Sequence, residues 1–241
     1  VVLAGNAARA TGVARLMRPK AVVAPAAAGG RPDVAIEAGE GKHEVEITFR
    51  LGRAFGIEDP PPAPSVFPDA AAVARMRSEI AARVPGVSRL VGVHISARKP
   101  SQRWPGERFA GLAQEIARQG DTGILLFWSP GTESDPRHPG DEEKARTLAL
   151  ELRKFPLVSV PTPSLDELIA GLSLCDRVIC SDGGAMHLAA ALGKPIVCLF
   201  GRSDAARWHP WGVRHELLQP ASRDVRDIGV GDVLEALGRL G

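Results

Sequence analysis

The chain has 241 residues, 44% hydrophobic and 24% charged, the balance of an ordinary folded protein able to bury a sizeable core. Its 30 basic residues nearly cancel 28 acidic ones, and the arginines are scattered over predicted helices, so a nucleic-acid-binding face is not indicated. The longest apolar runs, 124–128 and 196–200, are strand-sized and too short to cross a bilayer of roughly 30 Å as helices.

The chain opens on Val1 inside what reads as structured sequence, Val-Val-Leu-Ala, so an upstream part is expected. Residues 6–17 have helical spacing, 21–24 make a short strand, and 42–55 form an amphipathic helix with Val45, Phe49 and Phe55 among its apolar positions. Five prolines within 60–68 punctuate the chain before a helix over 69–84. One strand and three helices cannot close a two-layer unit, so this half reads as the end of a domain whose opening strands are absent.

From residue 91 onward, short β-branched runs alternate with helical periods, the pattern of a parallel sheet wound by helices. Strands are expected at 91–96, 124–128, 157–160, 177–180 and 196–200. Helices are expected at 106–119, stopped by Gly120, and at 141–154, where Ala145, Leu148, Ala149 and Leu152 share a face. A third helix, 164–174, opens on a capping box of Ser164 and Glu167, and a fourth, 185–192, is closed by Gly193. The last segment, 230–240, is also helical. Five strands in this order make a Rossmann-like unit. Cys175, Cys180 and Cys198 are odd in number and sit in apolar segments, so they read as reduced core residues, which favours the cytoplasm. They contain no CxxC pair, and no metal site is expected.

The most informative stretch is Cys180-Ser-Asp-Gly-Gly-Ala-Met-His-Leu-Ala-Ala-Ala-Leu-Gly-Lys-Pro195, which runs from a strand end through two glycines into a helix. At the carboxyl end of a parallel strand, glycines let the backbone approach a diphosphate, and the first amides of the next helix favour negative charge. Asp182 could cap that helix or bind a sugar hydroxyl, and His187 lies close to its amino end. The plainer alternative is a tight turn at Gly183 and Gly184, with Asp182 a cap and His187 a partly buried helix residue.

Residues 182–201 resemble the signature of glycosyltransferase family 9, the ADP-heptose:lipopolysaccharide heptosyltransferases. The likeness extends to Arg103-Trp104-Pro105, the capping-box helix and Trp208-His-Pro-Trp211, covers about residue 42 to the end, and is weaker over 3–19. It implies an α/β fold of GT-B type with two Rossmann-like domains, the first incomplete. Residues 1–86 would belong to the acceptor-side domain with interdomain helices, 87–228 to the donor-binding domain, and 229–241 to a C-terminal helix. It further implies metal-independent, inverting transfer of a sugar, ADP-heptose being the expected donor. The acceptor would be a lipid-linked lipopolysaccharide core or related glycan at the inner face of the cytoplasmic membrane.

By the family pattern Asp182, Gly183, Gly184 and His187 would line the donor diphosphate and sugar, and Arg103, with Lys99, would contact phosphate. The acidic residue opposite the ribose would fall at Asp141 or Glu142, since the loop 129–140 is longer than in many relatives. Gly183 stands where relatives commonly carry serine or threonine. No residue matches the family's general base, an aspartate in a glycine-containing loop after the first strand, so that base is expected upstream. Two alternatives accompany this reading: a non-catalytic nucleotide-sugar-binding remnant, and a UDP-sugar epimerase of GT-B architecture. Epimerases usually follow the glycines with a glutamine and glutamate pair, where this chain has Met186 and His187. A dinucleotide dehydrogenase is disfavoured because no GxGxxG follows a strand.

Overall fold

The computed structural model describes residues 1–3, 8–26, 31–37 and 39–241. The first two positions of the expected helix 6–17 lie outside that range. Contacts divide the chain into two units, one of 1–62 with 206–208 and one of 63–205 with 209–241.

The first unit carries a parallel sheet in the order β1 (Val2–Leu3), β2 (Val22–Pro25), β3 (Val34–Ile36), with α1 (Ala8–Leu16) packed on β2. Only β2 was expected. The flanking strands are two and three residues long and β3 is largely exposed, so neither leaves a hydrophobic period in the sequence. Val22 and Ala24 of β2 bury against Ala14 of α1. The Asp33 carboxylate accepts from Val22 N at 2.8 Å, which ties the residue before β3 to the start of β2.

The single helix expected over 42–55 is two elements. α2 (Glu44–Phe49) is N-capped by His43, whose Nδ1 accepts from Val45 N while Glu46 accepts from His43 N. The chain then tightens into a 3-10 segment, Arg50–Phe55, ended by Gly56 at φ 76°. That winding turns Leu51 into the core and leaves Phe55 exposed.

The second unit is a six-stranded, wholly parallel sheet. Its strands are β4 (Arg89–His94), β5 (Thr122–Trp128), β6 (Leu157–Pro161), β7 (Arg177–Ser181), β8 (Ile196–Leu199) and β9 (His215–Leu218), in the spatial order β6-β5-β4-β7-β8-β9. Helices cover both faces, so the interior strands carry apolar runs buried on both sides: every position of β5 is buried. One face holds α4 (Gly106–Ala117), α5 (Glu142–Glu151) and α9 (Val230–Arg239), and the other holds α3 (Ala70–Arg83), α6 (Leu165–Ser173) and α7 (Gly184–Ala191). The short α8 (Ala205–Trp208) follows β8.

α3 starts where Asp69 accepts from Ala72 N at 2.7 Å. At α6, Ser164 Oγ accepts from Glu167 N as the capping box requires, but the Glu167 carboxylate takes the serine hydroxyl proton instead of the cap amide. β9 was not expected. His-Glu-Leu-Leu does not alternate, and all four residues are half-buried at the sheet edge. All three cysteines are reduced and buried. Among the described residues no helix is long and apolar enough to cross a membrane.

Candidate functional site

The strand order reverses direction at β4, which pairs with β5 on one side and β7 on the other. At such a point the loops leaving the strand ends splay apart, and a crevice opens outside the carboxyl ends of β4 and β7. The segments that meet there are 96–105, 181–184 and 200–204.

The first of these is pinned from below. Trp104 is buried, stacks edge-to-face on Phe109 with centroids 4.9 Å apart, and donates its indole N–H to Ile228 O at 3.0 Å. Its neighbour Arg103 donates from Nη1 to Ala97 O at 3.0 Å and from Nη2 to Asp141 Oδ1 at 2.6 Å. Lys144 Nζ reaches the same Asp141 oxygen at 2.5 Å, and Glu133 adds a contact to Arg103 at 3.1 Å. The Asp141 side chain is only 1% exposed, whereas Glu133 is 74% exposed. Two cations thus converge on one oxygen of a buried carboxylate, while Asp141 Oδ2, also buried, has no hydrogen-bond partner.

Asp141 begins α5 without capping it by side chain, and the loop before it is closed at its neck. Asp141 N donates to Ser129 O, Gly140 N donates to Thr132 O, and a Cβ on Gly140 would fall 2.3 Å from Gly131 backbone atoms. Glu142 is engaged elsewhere, accepting from the Trp128 indole at 3.0 Å. Beneath this group His94, at the end of β4, has its pKa pushed down to about 4 by burial, against the opposing pull of Asp141 and a backbone bond to Ser96. It is therefore neutral at pH 7.

A second network joins the other two segments. Gln102, which ends the 3-10 turn Pro100–Gln102, donates from Nε2 to Asp182 Oδ2 at 2.6 Å and to Ser203 Oγ at 3.0 Å. Lys99 Nζ also reaches Ser203 Oγ, at 3.1 Å, and Ser181 Oγ donates to Gln102 O at 2.7 Å. Gln219 holds the 201–203 loop by donating to the carbonyls of Gly201 and Ser203. The approach is close enough that a Cβ on Gly201 would lie 2.2 Å from Ser101 O, so only glycine fits.

Asp182 does not cap the following helix. Its carboxylate is turned to Gln102, and the N-cap of α7 is Gly183, with no side-chain cap. A Cβ built on Gly184 would meet no atom within 4 Å, and one on Gly183 only Ser181 O at 3.9 Å. The amino end of α7 thus has no side-chain cap and open space beside Gly184, and the first amides of a helix have no partner within it. His187 lies one turn in and is exposed at its surface. Atoms crowding part of its ring nevertheless draw its pKa below the ordinary range, which the Asp182 carboxylate partly offsets.

The expected residues therefore fall into two linked groups, Arg103 with Asp141, and Lys99 with Asp182, while Gly183 and Gly184 form the open helix end between strand and α7. Gln102, Ser203 and Lys144 were not singled out in the sequence. Gln102 directly precedes Arg103-Trp104-Pro105 and Ser203 follows Gly201, so adjacency to the motifs was the available signal. Among the described residues no group of three or more His, Cys, Asp or Glu side chains is placed to hold a metal ion.

Comparison with known proteins bears on this cleft. The profile described as glycosyltransferase family 9 (heptosyltransferase) matches residues 31–229. A lipooligosaccharide heptosyltransferase 2 of Haemophilus influenzae is 29% identical over 133 residues, 55% of this chain and 37% of that protein. The family 9 glycosyl transferase structure from Veillonella parvula superposes with a TM-score of 0.76 at 18% identity, covering 99% of this chain and 73% of the other. The structure of E. coli heptosyltransferase WaaC with ADP gives a TM-score of 0.72 at 17% identity, covering 98% and 71%. The matched stretches take in between 28% and 43% of the lengths of the curated relatives.

Proposed function

This chain belongs to glycosyltransferase family 9, with an α/β fold of GT-B type, and on that premise we propose that its second unit binds the nucleotide-diphosphate sugar, ADP-heptose, for inverting transfer to a lipopolysaccharide core or related glycan. The observation that carries the reading is the open amino end of α7 at the switch point of a parallel sheet, where Gly184 faces empty space and no side chain caps the helix. Backbone amides and the positive end of a helix dipole favour a diphosphate there.

Around that point, the Asp182 carboxylate accepts a sugar hydroxyl, His187 flanks the diphosphate, and Lys99 and Arg103 supply positive charge. Arg103 suits this duty because a guanidinium has five N–H protons, of which the bonds to Ala97, Asp141 and Glu133 use three. Asp141 holds Arg103 in place, and Glu142 or the unpartnered Oδ2 of Asp141 meets the ribose. In the transfer a base takes the acceptor proton as the diphosphate departs, and these cations and amides stabilise the charge that develops on it. The acceptor is reached at the cytoplasmic face of the membrane.

Titration of the protein with ADP, UDP and GDP by calorimetry, alongside a thermal-shift series with the corresponding sugar nucleotides, tests the reading. ADP and ADP-heptose are expected to bind and to raise the melting temperature, as any ligand of the folded state must. No heat and no shift with any of them would overturn it.

A further inference from the structure

Gln102 is a side chain that ties two separate loops of the cleft to its own. It is 3% exposed, and its amide nitrogen bonds Asp182 and Ser203, residues 80 and 101 positions away in the chain. An amide nitrogen carries two protons, and both are used here. Its backbone carbonyl accepts from Ser181 Oγ, the residue before Asp182, so the main chain from which the side chain reaches out is itself anchored beside Asp182.

A glutamine is neutral at every pH. It orients a carboxylate without cancelling its charge, whereas a lysine or arginine in its place would form an ion pair and lower the carboxylate's demand for other donors. Asp182 Oδ1 accepts from no protein donor among the described residues. Resting on the donor-site reading above, we infer that Gln102 is a positioning residue. It fixes the Asp182 carboxylate and the Ser203 loop with a neutral donor, leaving Oδ1 of Asp182 open to accept a hydroxyl of the donor sugar.

The test is Gln102→Glu, which changes almost no volume but sets a second carboxyl group where the amide nitrogen lay 2.6 Å from Asp182. Two carboxyls that close share one proton at low pH and repel one another once it is lost. Binding is measured by calorimetry with ADP and with ADP-heptose between about pH 5.5 and pH 8. The other ionisable groups facing the pair are His187 from α7, Lys99 from the same loop and the buried Cys198 thiol of β8, so wild type is titrated in parallel.

The variant is expected to bind ADP-heptose within about threefold of wild type at the acid end and about tenfold more weakly at the alkaline end, with ADP little affected. Asp182→Asn in the same background restores one donor and one acceptor to the contact and should flatten that pH slope. A Gln102 that only supports the fold would lower the melting temperature without creating the slope. A folded Gln102→Glu protein with wild-type affinity throughout, or one that loses ADP and ADP-heptose equally, overturns the inference.

Should Gln102→Glu fail to fold, Gln102→Leu keeps the volume and removes both donors. It is expected to weaken ADP-heptose about tenfold while sparing ADP, and an equal loss of both would count against the role. Wild type that binds neither ligand sinks the donor reading, and this inference with it.

Discussion

Arg103 and Asp141 meet at 2.6 Å across the end of the sheet, one from the loop after β4 and the other from the start of α5. The aspartate side chain is 1% exposed and the arginine 14%, so the charges are largely withdrawn from water. A second cation, Lys144, bonds the same carboxylate oxygen. Such an arrangement costs more to break than to keep, because removing the anion leaves two cations facing each other.

Asp141→Ala should therefore destabilise the protein by about 2–4 kcal/mol. Urea unfolding measures this directly. A change within about 0.5 kcal/mol, the range of an ordinary surface substitution, would show that the carboxylate is not the counter-ion of the two cations.

Arg103→Ala should raise the dissociation constant for ADP about tenfold or more, as loss of a charge-assisted bond does. Arg103→Lys keeps the charge but loses the planar fork and should fall between. Calorimetry on both variants, with melting temperatures recorded to separate folding from binding, decides the matter. Unaltered ADP affinity in Arg103→Ala would discredit the phosphate contact.

Gly184→Ala separates stability from ligand binding. A Cβ there meets nothing within 4 Å, and alanine is the better helix former by roughly 0.5–1 kcal/mol, so the melting temperature should hold or rise. The same methyl would project into the space assigned to the diphosphate, so ADP affinity should fall. Stabilisation with undiminished ADP binding would place the nucleotide elsewhere.

Gly201→Ala should do harm of another kind. Its Cβ would lie 2.2 Å from Ser101 O, a backbone atom that cannot rotate aside. Separating the β8 loop from the Pro100–Gln102 turn is expected to cost about 1–3 kcal/mol and to weaken ADP-heptose binding, since Gln102 and Ser203 part with it. Urea unfolding and calorimetry together report both effects.

His94 gives the stability a pH dependence with a defined sign. Its folded pKa of about 4 lies below the ordinary 6.5, so the unfolded chain binds the extra proton in between. Stability is then fully present above pH 6.5 and is lost as pH falls toward 4, by up to about 3 kcal/mol from this group. His94→Phe should flatten that part of the curve in urea unfolding across pH. An equal slope in the variant would assign it to other groups.

How much of this was legible in the sequence follows from which physical signals are local. Strands β4 to β8 of the second unit and the helix starts at Asp69 and Ser164 announce themselves through apolar runs and caps within a few residues. β9 does not, because an edge strand half-buried at every position has no alternation to display. The periodicity over 42–55 reads as one helix because it cannot distinguish an α turn from the 3-10 winding that follows Phe49.

In the cleft, the glycines and Asp182 were visible because a strand end, a Gly-Gly pair and a helix lie side by side in the chain. Of the two roles the sequence leaves open to Asp182, capping α7 fails for a reason no local pattern contains: Gln102, 80 residues earlier, takes the carboxylate. The bonds of Arg103 to Asp141 and of Gln102 to Ser203 are likewise products of strand order, which brings distant loops to one crevice.

The neck formed by Gly131 and Gly140 bears on how this protein can change. Because two glycine backbones touch where the 132–139 excursion leaves and rejoins the strand-to-helix connection, residues added or removed at its tip are absorbed outside the constriction. Insertions and deletions there can accumulate while the spacing from Trp128 to Asp141 in space stays constant, so this excursion is a natural place for lineages to diverge in length without disturbing the counter-ion beneath.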